Sequence, residues 1–138
     1  MKEMIFIDTS GFVALNDQND LDHEAAIAWV RSMLSETAGL CTSMQVISES
    51  ATALKQKAGM EKAKKFLDFL KQPGIQILED NREIQEEAWK MFEDRGKVKK
   101  AGFNDFWKVA LMHYYGIMKV FTFNRQFDKL EVMRVPKR

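Results

Sequence analysis

The sequence is sparing in the residues that would place it in a specialised class. Of its 138 residues one is cysteine, two are proline, two are histidine and seven are glycine. A lone Cys41 excludes an internal disulfide and suits a reducing, cytoplasmic compartment. In Leu40-Cys41-Thr42 it reads as a small core residue at a strand end. His23 and His113 stand far apart and match no zinc-ligand spacing. No glycine-rich phosphate loop occurs, which disfavours an NTPase or dinucleotide-binding reading. No apolar run approaches the ~20 residues of a membrane span, so no membrane partner is expected. Lys2-Glu3 followed by four apolar residues does not make a signal peptide. Strong charge of one sign is also missing. The formal net charge is +1, too small for a nucleic-acid footprint by bulk charge.

What is present fits one globular domain, 1–138, with 46% hydrophobic and 30% charged residues. Such a chain buries roughly two thirds of its unfolded surface. Its charge is unevenly spread. Residues 1–40 hold two bases against seven acids, and the remaining 98 hold nineteen bases against thirteen acids. That distribution leaves room for a local basic patch beside an acidic centre.

Met4-Ile5-Phe6-Ile7 is a continuous apolar run that suits a strand buried on both faces, with Asp8 at its carboxyl end. A short helix over Phe12–Leu15 follows. Asp22 then caps a helix with Ala26, Trp29, Val30, Met33 and Leu34 on one face, ended by Gly39. Leu40–Thr42 is a second strand. Ser43 caps a helix over 44–58, Gly59 punctuates, and Ala63, Phe66, Leu67 and Leu70 mark another. Pro73-Gly74 breaks the chain before a third strand, Ile75–Leu78. Asn81 opens a helix bearing Ile84, Ala88, Met91 and Phe92. A basic loop, Lys97–Gly102, leads to a helix capped by Asn104, with Trp107 and its aromatic stripe as core. Lys119–Phe123 is a fourth strand and Val132–Val135 a fifth, at an edge. Short strands alternating with helices predict an α/β fold, a three-layer α/β/α sandwich around a parallel sheet. The paired helices between the second and third strands form a hairpin beside it.

Such a sheet gathers groups at the carboxyl ends of its strands. Asp8 ends the first strand, Glu49 lies in the second turn after the second, and Asp105 sits in the first turn of the last major helix. Asn124 follows the fourth strand, and Asp128 comes four residues later. Oxygen ligands converging there suit Mg²⁺ or Mn²⁺. Ser10 can add a hydroxyl bond to Asp8 or to a metal-bound water. Each residue alone has an ordinary role: a turn cap for Asp8, a solvated charge for Glu49, a helix-dipole partner for Asp105, a turn residue for Asn124. Their joint spacing carries the signal.

With these residues assembled, the chain resembles the PIN-domain family and, within it, the VapC-type toxin ribonucleases of bacteria and archaea. The likeness rests on Ile7-Asp8-Thr9-Ser10, on Val46-Ile47-Ser48-Glu49, on Gly102-Phe103-Asn104-Asp105 and on Thr122-Phe123-Asn124-Arg125-Gln126-Phe127. It spans nearly the whole chain. The family's three leading acids map onto Asp8, Glu49 and Asp105, and its hydroxyl onto Ser10, with Thr9 nearby. At the fourth position the family commonly has aspartate; here it is Asn124, a weaker ligand that adds no negative charge for a second metal.

The resemblance implies Mg²⁺- or Mn²⁺-dependent hydrolysis of RNA phosphodiester bonds, with Glu49 or Asp105 also able to orient the attacking water. Acids repel RNA, so bases must rim the pocket. Arg95, Lys97, Lys99, Lys100, Lys108 and Arg125 are the candidates for phosphate contact without base reading. A homodimer and a small antitoxin partner are implied by the family alone. The alternatives are a catalytically weak PIN module that binds RNA or a protein partner, motivated by Asn124, and a flap-cutting DNA nuclease, disfavoured because added helical segments are missing.

Overall fold

The computed structural model describes residues 2–98 and 100–137. The N-terminal apolar run is strand β1, Met4–Ile7, and its Ile5, Phe6 and Ile7 are all buried. It is followed by α1 (Thr9–Asn16), α2 (His23–Met33), β2 (Gly39–Ser43), α3 (Met44–Ala58) and α4 (Met60–Leu70). Then come β3 (Ile75–Leu78), α5 (Arg82–Arg95), α6 (Phe103–Tyr114), β4 (Lys119–Phe121), a 3₁₀ turn (Arg125–Lys129) and β5 (Met133–Val135). The sheet is wholly parallel in the order β3-β2-β1-β4-β5, so β1 is its central strand. Phe6 aligns with Cys41 of β2 on one side and Val120 of β4 on the other.

The six helices flank this sheet. From β1 the chain steps one way to β2 and β3, then returns across the sheet to β4 on the other side of β1. Right-handed crossovers therefore place α1–α4 on one face and α5 and α6 on the opposite face. The packing agrees: α1 meets α2 and α3, α3 meets α4, and α5 meets α6. Phe12 of α1 stands edge-on to Phe66 of α4 with centroids 5.0 Å apart, and Trp29 of α2 stacks on Phe121 of β4 at 4.3 Å. The reversal of strand order makes the carboxyl ends of β1 and β4 a topological switch point, where such sheets form a crevice.

Local chemistry explains most boundaries. Ser43 Oγ accepts from Val46 N–H and Asn81 Oδ1 from Ile84 N–H, so both helix caps stand where the sequence puts them. Gly59 has φ +96°, which lets α3 turn directly into α4. Gly11 lies so close to β4 that a Cβ there would sit 2.7 Å from the Phe121 carbonyl oxygen.

Several details differ from the sequence reading. The first helix begins at Thr9, immediately after Asp8. Helix α2 ends at Met33, leaving Leu34 exposed, and Gly39 is the first residue of β2. Asn104 does not cap α6: Gly102 does, and the Asn104 side chain is thereby free to turn towards α3. Strand β4 stops at Phe121; Thr122 N–H still donates to the Val135 carbonyl at 3.1 Å, while the Thr122 side chain bonds to Asp8 at the switch point. Trp107 is only partly buried; its indole N–H donates to Asp80 Oδ2 at 2.9 Å, which keeps one edge of the ring at the surface. Cys41 is fully buried with its thiol on the Ile5 carbonyl, and burial pushes its pKa up to about 12, so it is an inert core residue.

Candidate active site

A cavity of about 620 Å³ opens at the switch point. Asp8, Thr9, Ser10, Glu49, Asn104, Asp105, Lys108 and Asn124 line it, as do Asp20 and the exposed Lys57 and Lys100. The four residues proposed from sequence as a cluster of oxygen ligands thus share one cavity although they come from four segments. Asp8 is only 2% exposed and Asp105 8%, whereas Glu49 is half-buried.

Asp8 is held from β4. Thr122 Oγ1 donates to Asp8 Oδ2 at 2.9 Å, Ser10 Oγ lies 2.8 Å from Thr122 Oγ1, and Phe123 N–H donates to Ser10 Oγ at 2.8 Å. The single hydroxyl proton of Thr122 is committed to Asp8, so Ser10 must be the donor in the Ser10–Thr122 bond. Ser10 therefore reaches Asp8 through Thr122, not by the direct bond that was one of the two roles read from the sequence. Thr122 Oγ1 also accepts from Asn124 N–H at 3.1 Å, which fills its acceptor capacity. The Asn124 side-chain oxygen accepts from Gln126 N–H at 3.0 Å and so caps the 3₁₀ turn that follows.

The second departure concerns Lys108. The sequence reading placed it with the bases on the rim; it is instead 4% exposed and lies inside the acidic cluster. Three residues after Asp105 on α6, it shares that residue's helical face. Its Nζ stands 2.9 Å from Asp8 Oδ1 and 2.7 Å from Glu49 Oε1. Glu49 Oε1 also accepts from Thr9 Oγ1 at 2.8 Å, and Glu49 Oε2 from Asn104 Nδ2 at 3.1 Å. Asp105 Oδ2 accepts from Gly102 N–H at 2.9 Å.

This arrangement separates the protonation behaviour of the carboxyls. Burial pushes Glu49 up, but the bond and charge of Lys108, with the bonds from Asn104 and Thr9, outweigh it and hold Glu49 below the usual carboxylate value. Burial also pushes Asp105 up. The Gly102 N–H and the Lys108 charge oppose this, but the charges of Asp8 and Glu49 reinforce it, and Asp105 stays raised. Burial alone would lower Lys108, yet the charge of Asp8 and the bonds to Glu49 and Asp8 hold it above its ordinary value, as an ammonium.

The donor set fits a hard divalent cation: carboxylate, amide and hydroxyl oxygens, with no thiol or imidazole. His23 bonds to the Ala14 carbonyl and His113 to that of Glu131, both outside the cavity lining. A cation already stands between Asp8 and Glu49, the Lys108 ammonium. Among the described residues, no three His, Cys, Asp or Glu side chains are gathered as a formed metal-ligand group.

Of the other bases, Lys100 lines the cavity, and Lys97 and Arg125 are exposed outside its lining. Lys99 lies outside the described residues. Arg95 is turned away, bonded to Glu131 and, at 3.1 Å, to the Lys129 carbonyl. Asp128 is not a substitute for Asn124: both its oxygens are taken by Arg134, at 3.0 and 3.1 Å, which also lowers its pKa. Lys57, Asn104 and Thr122 were missed from sequence. Lys57 lies eight residues after Glu49, about two helical turns, and that spacing was the available signal.

Residues 5–133 match the sequence profile of the PIN domain. The chain belongs to the PIN-domain family. The 23S rRNA-specific endonuclease VapC20 of Mycobacterium tuberculosis is 27% identical to this PIN domain over 125 residues, covering 91% of this chain and 92% of that protein. The crystal structure of M. tuberculosis VapC20, described as a sarcin–ricin-loop-cleaving toxin, superposes with a TM-score of 0.82. The superposition covers 94% of this chain and 96% of that one at 24% identity. VapBC2 of Rickettsia felis, bound to a DNA fragment from its promoter, gives a TM-score of 0.73 at 12% identity, covering 95% and 96%. At these identities the superpositions speak for the PIN fold. Among the described residues of this PIN domain, no helix is long and apolar enough to cross a membrane.

Proposed function

We propose that this PIN domain is an endoribonuclease that hydrolyses RNA phosphodiester bonds with Mg²⁺ or Mn²⁺, as the toxin of a toxin–antitoxin pair. One observation carries the reading: Asp8, Glu49 and Asp105, from three separate segments, line a single cavity whose lining also includes the exposed Lys57 and Lys100. The similarity to an rRNA-specific endonuclease supports RNA as substrate, and the likeness to VapBC proteins supports a small antitoxin partner.

Asp8, Glu49 and Asp105 would hold the ion, with Asn124 as a weaker oxygen donor. When bound, it supplies Lewis acidity that favours a nucleophilic water and offsets charge developing on the phosphate. Thr122, with Ser10 behind it, orients Asp8. Thr9 and Asn104 orient Glu49, which can in turn align the attacking water. Lys57 and Lys100 contact phosphates and draw the acidic centre and the RNA backbone together. A homodimer acting in the cytoplasm completes the reading.

The test is cleavage of labelled RNAs, a sarcin–ricin-loop RNA among them, with Mg²⁺, Mn²⁺ or EDTA. Cleavage that needs either ion and disappears in Asp8→Asn is expected. No cleavage with both ions, or cleavage that survives Asp8→Asn, sinks the proposal. A catalytically weak module that binds RNA or a protein is the second reading, favoured by two residues in the cavity: Asn124 in place of an acid, and the ammonium of Lys108.

A further inference from the structure

We propose that Lys108 is a resident cation of this site, holding the place on Asp8 that a divalent ion takes, so that metal loading requires the ammonium to leave Asp8 Oδ1. The inference deepens the nuclease reading, since it concerns the same carboxylates.

The geometry supports it in three ways. First, the Asp8 oxygens are unequal. Oδ2 is taken by the Thr122 hydroxyl, and Oδ1 has the Lys108 ammonium as its partner with no further hydrogen bond among the described residues. Oδ1 is thus the oxygen turned towards a cation, and a cation stands there. Second, buried lysines are rare unless paired, and this one is paired twice, to residues 100 and 59 positions away in the chain. Its two partners are themselves anchored, Glu49 by Thr9 and Asn104, and Asp8 by Thr122. The carboxylates are therefore held for a cation by groups other than the lysine.

Third, the stem permits release. Lysine carries a compact charge on four rotatable methylenes, so the head can swing into the adjoining cavity of about 620 Å³ while α6 stays in place. The charge balance fits the same picture. Asp8, Glu49 and Asp105 are three carboxylates; with Lys108 they present a formal charge of −2, and the fourth wall, Asn124, adds none. An incoming divalent ion meets a site already partly neutralised and a like charge a few ångströms away.

Mn²⁺ binding by calorimetry to wild type and Lys108→Met tests this. The variant should bind at least about tenfold more tightly, because the ion no longer has to displace an ammonium paired with two carboxylates, and one charge-assisted bond spared is already worth about that factor. The wild-type protein gives a second measurement that needs no core substitution. Lysine Nζ resonances, with Lys108 assigned through Lys108→Arg, are followed as Mg²⁺ is added, and the Lys108 signal should shift with occupancy. Equal or weaker Mn²⁺ binding by a folded Lys108→Met overturns the inference, as does Mg²⁺ binding that leaves the Lys108 resonance unmoved. Absence of binding to both proteins also overturns it. Binding to the variant but not to wild type upholds Lys108 as the resident cation, while the metal-dependent reading of the wild-type protein fails.

Discussion

Thr122 Oγ1 donates to Asp8 Oδ2 at 2.9 Å, joining residues 114 positions apart across the ends of two neighbouring parallel strands. The bond does two things. It fills one oxygen of a buried carboxylate, and it turns the other towards the cavity. Thr122→Val keeps the shape and removes the donor. A hydrogen bond to a charged group contributes about 1.5–3 kcal/mol, so urea denaturation should show a loss in that range. RNA cleavage should fall as Asp8 loses its fixed orientation.

The raised Asp105 carboxyl makes a signed prediction for the metal-free protein. Its folded pKa exceeds its unfolded value, so the group costs no stability below the ordinary aspartate pKa of about 3.9 and a growing amount as pH rises through the folded value. Asp105→Asn removes that cost while its amide oxygen can still accept from Gly102 N–H. Thermal melts should show the variant more stable than wild type near neutral pH, with the difference vanishing in acid. A variant equally stable across that range would contradict the direction assigned to Asp105.

Glu49 has the opposite sign. Its folded pKa lies below the unfolded one, so its contribution is present above the ordinary glutamate value of about 4.3 and is lost as pH falls towards the folded value. Glu49→Gln should therefore destabilise the protein near neutral pH and converge with wild type in acid. Melting curves at several pH values read both substitutions together.

Lys57 and Lys100 are predicted to act on RNA through charge alone. Replacing either by alanine should weaken binding to single-stranded RNAs of different sequence about equally. It should also reduce the slope of log affinity against log salt by about 0.7 for each phosphate no longer neutralised. Fluorescence anisotropy at several salt concentrations measures both. Weakening confined to one sequence would show base reading instead.

Gly11→Ala tests the approach of α1 to β4. A Cβ at Gly11 would stand 2.7 Å from the Phe121 carbonyl oxygen, a backbone atom that cannot swing aside. Overpacking of this kind costs about 1–3 kcal/mol, more than alanine recovers through helix propensity. Chemical denaturation should show a net loss of stability, and unchanged or raised stability would mean that α1 can shift from β4.

Much of this protein could be read along the chain because the deciding interactions are short-range. An apolar run ending in an acid becomes the central strand, Ser43 and Asn81 cap the helices they precede, and Pro73-Gly74 stands between α4 and β3. The strand–helix alternation carries the parallel sheet with it. The acids at strand ends and first helical turns were legible for the same reason, since the switch point of a parallel sheet gathers those positions. The side-chain contacts of the site were not. Asn104 looked like a cap by its place before an apolar run, but Gly102 starts the helix and Asn104 turns to Glu49. Trp107 looked like core by helical spacing, but Asp80 holds its indole at the edge.

The largest difference is Lys108. Residue type and a neighbouring basic loop placed it at the surface, where lysine is ordinarily found. Its spacing of three from Asp105 puts both on one helical face, yet nothing in the one-dimensional pattern says which face turns inward. The sequence by itself determined the order of elements, the parallel sheet and the set of acids at its carboxyl edge, because strand burial, capping and turn chemistry act between near neighbours. Only the tertiary structure decided what stands among those acids. Packing α5 and α6 on the sheet brings Lys108 between Asp8 and Glu49, across 100 and 59 positions of chain, and that meeting depends on how helix and sheet pack.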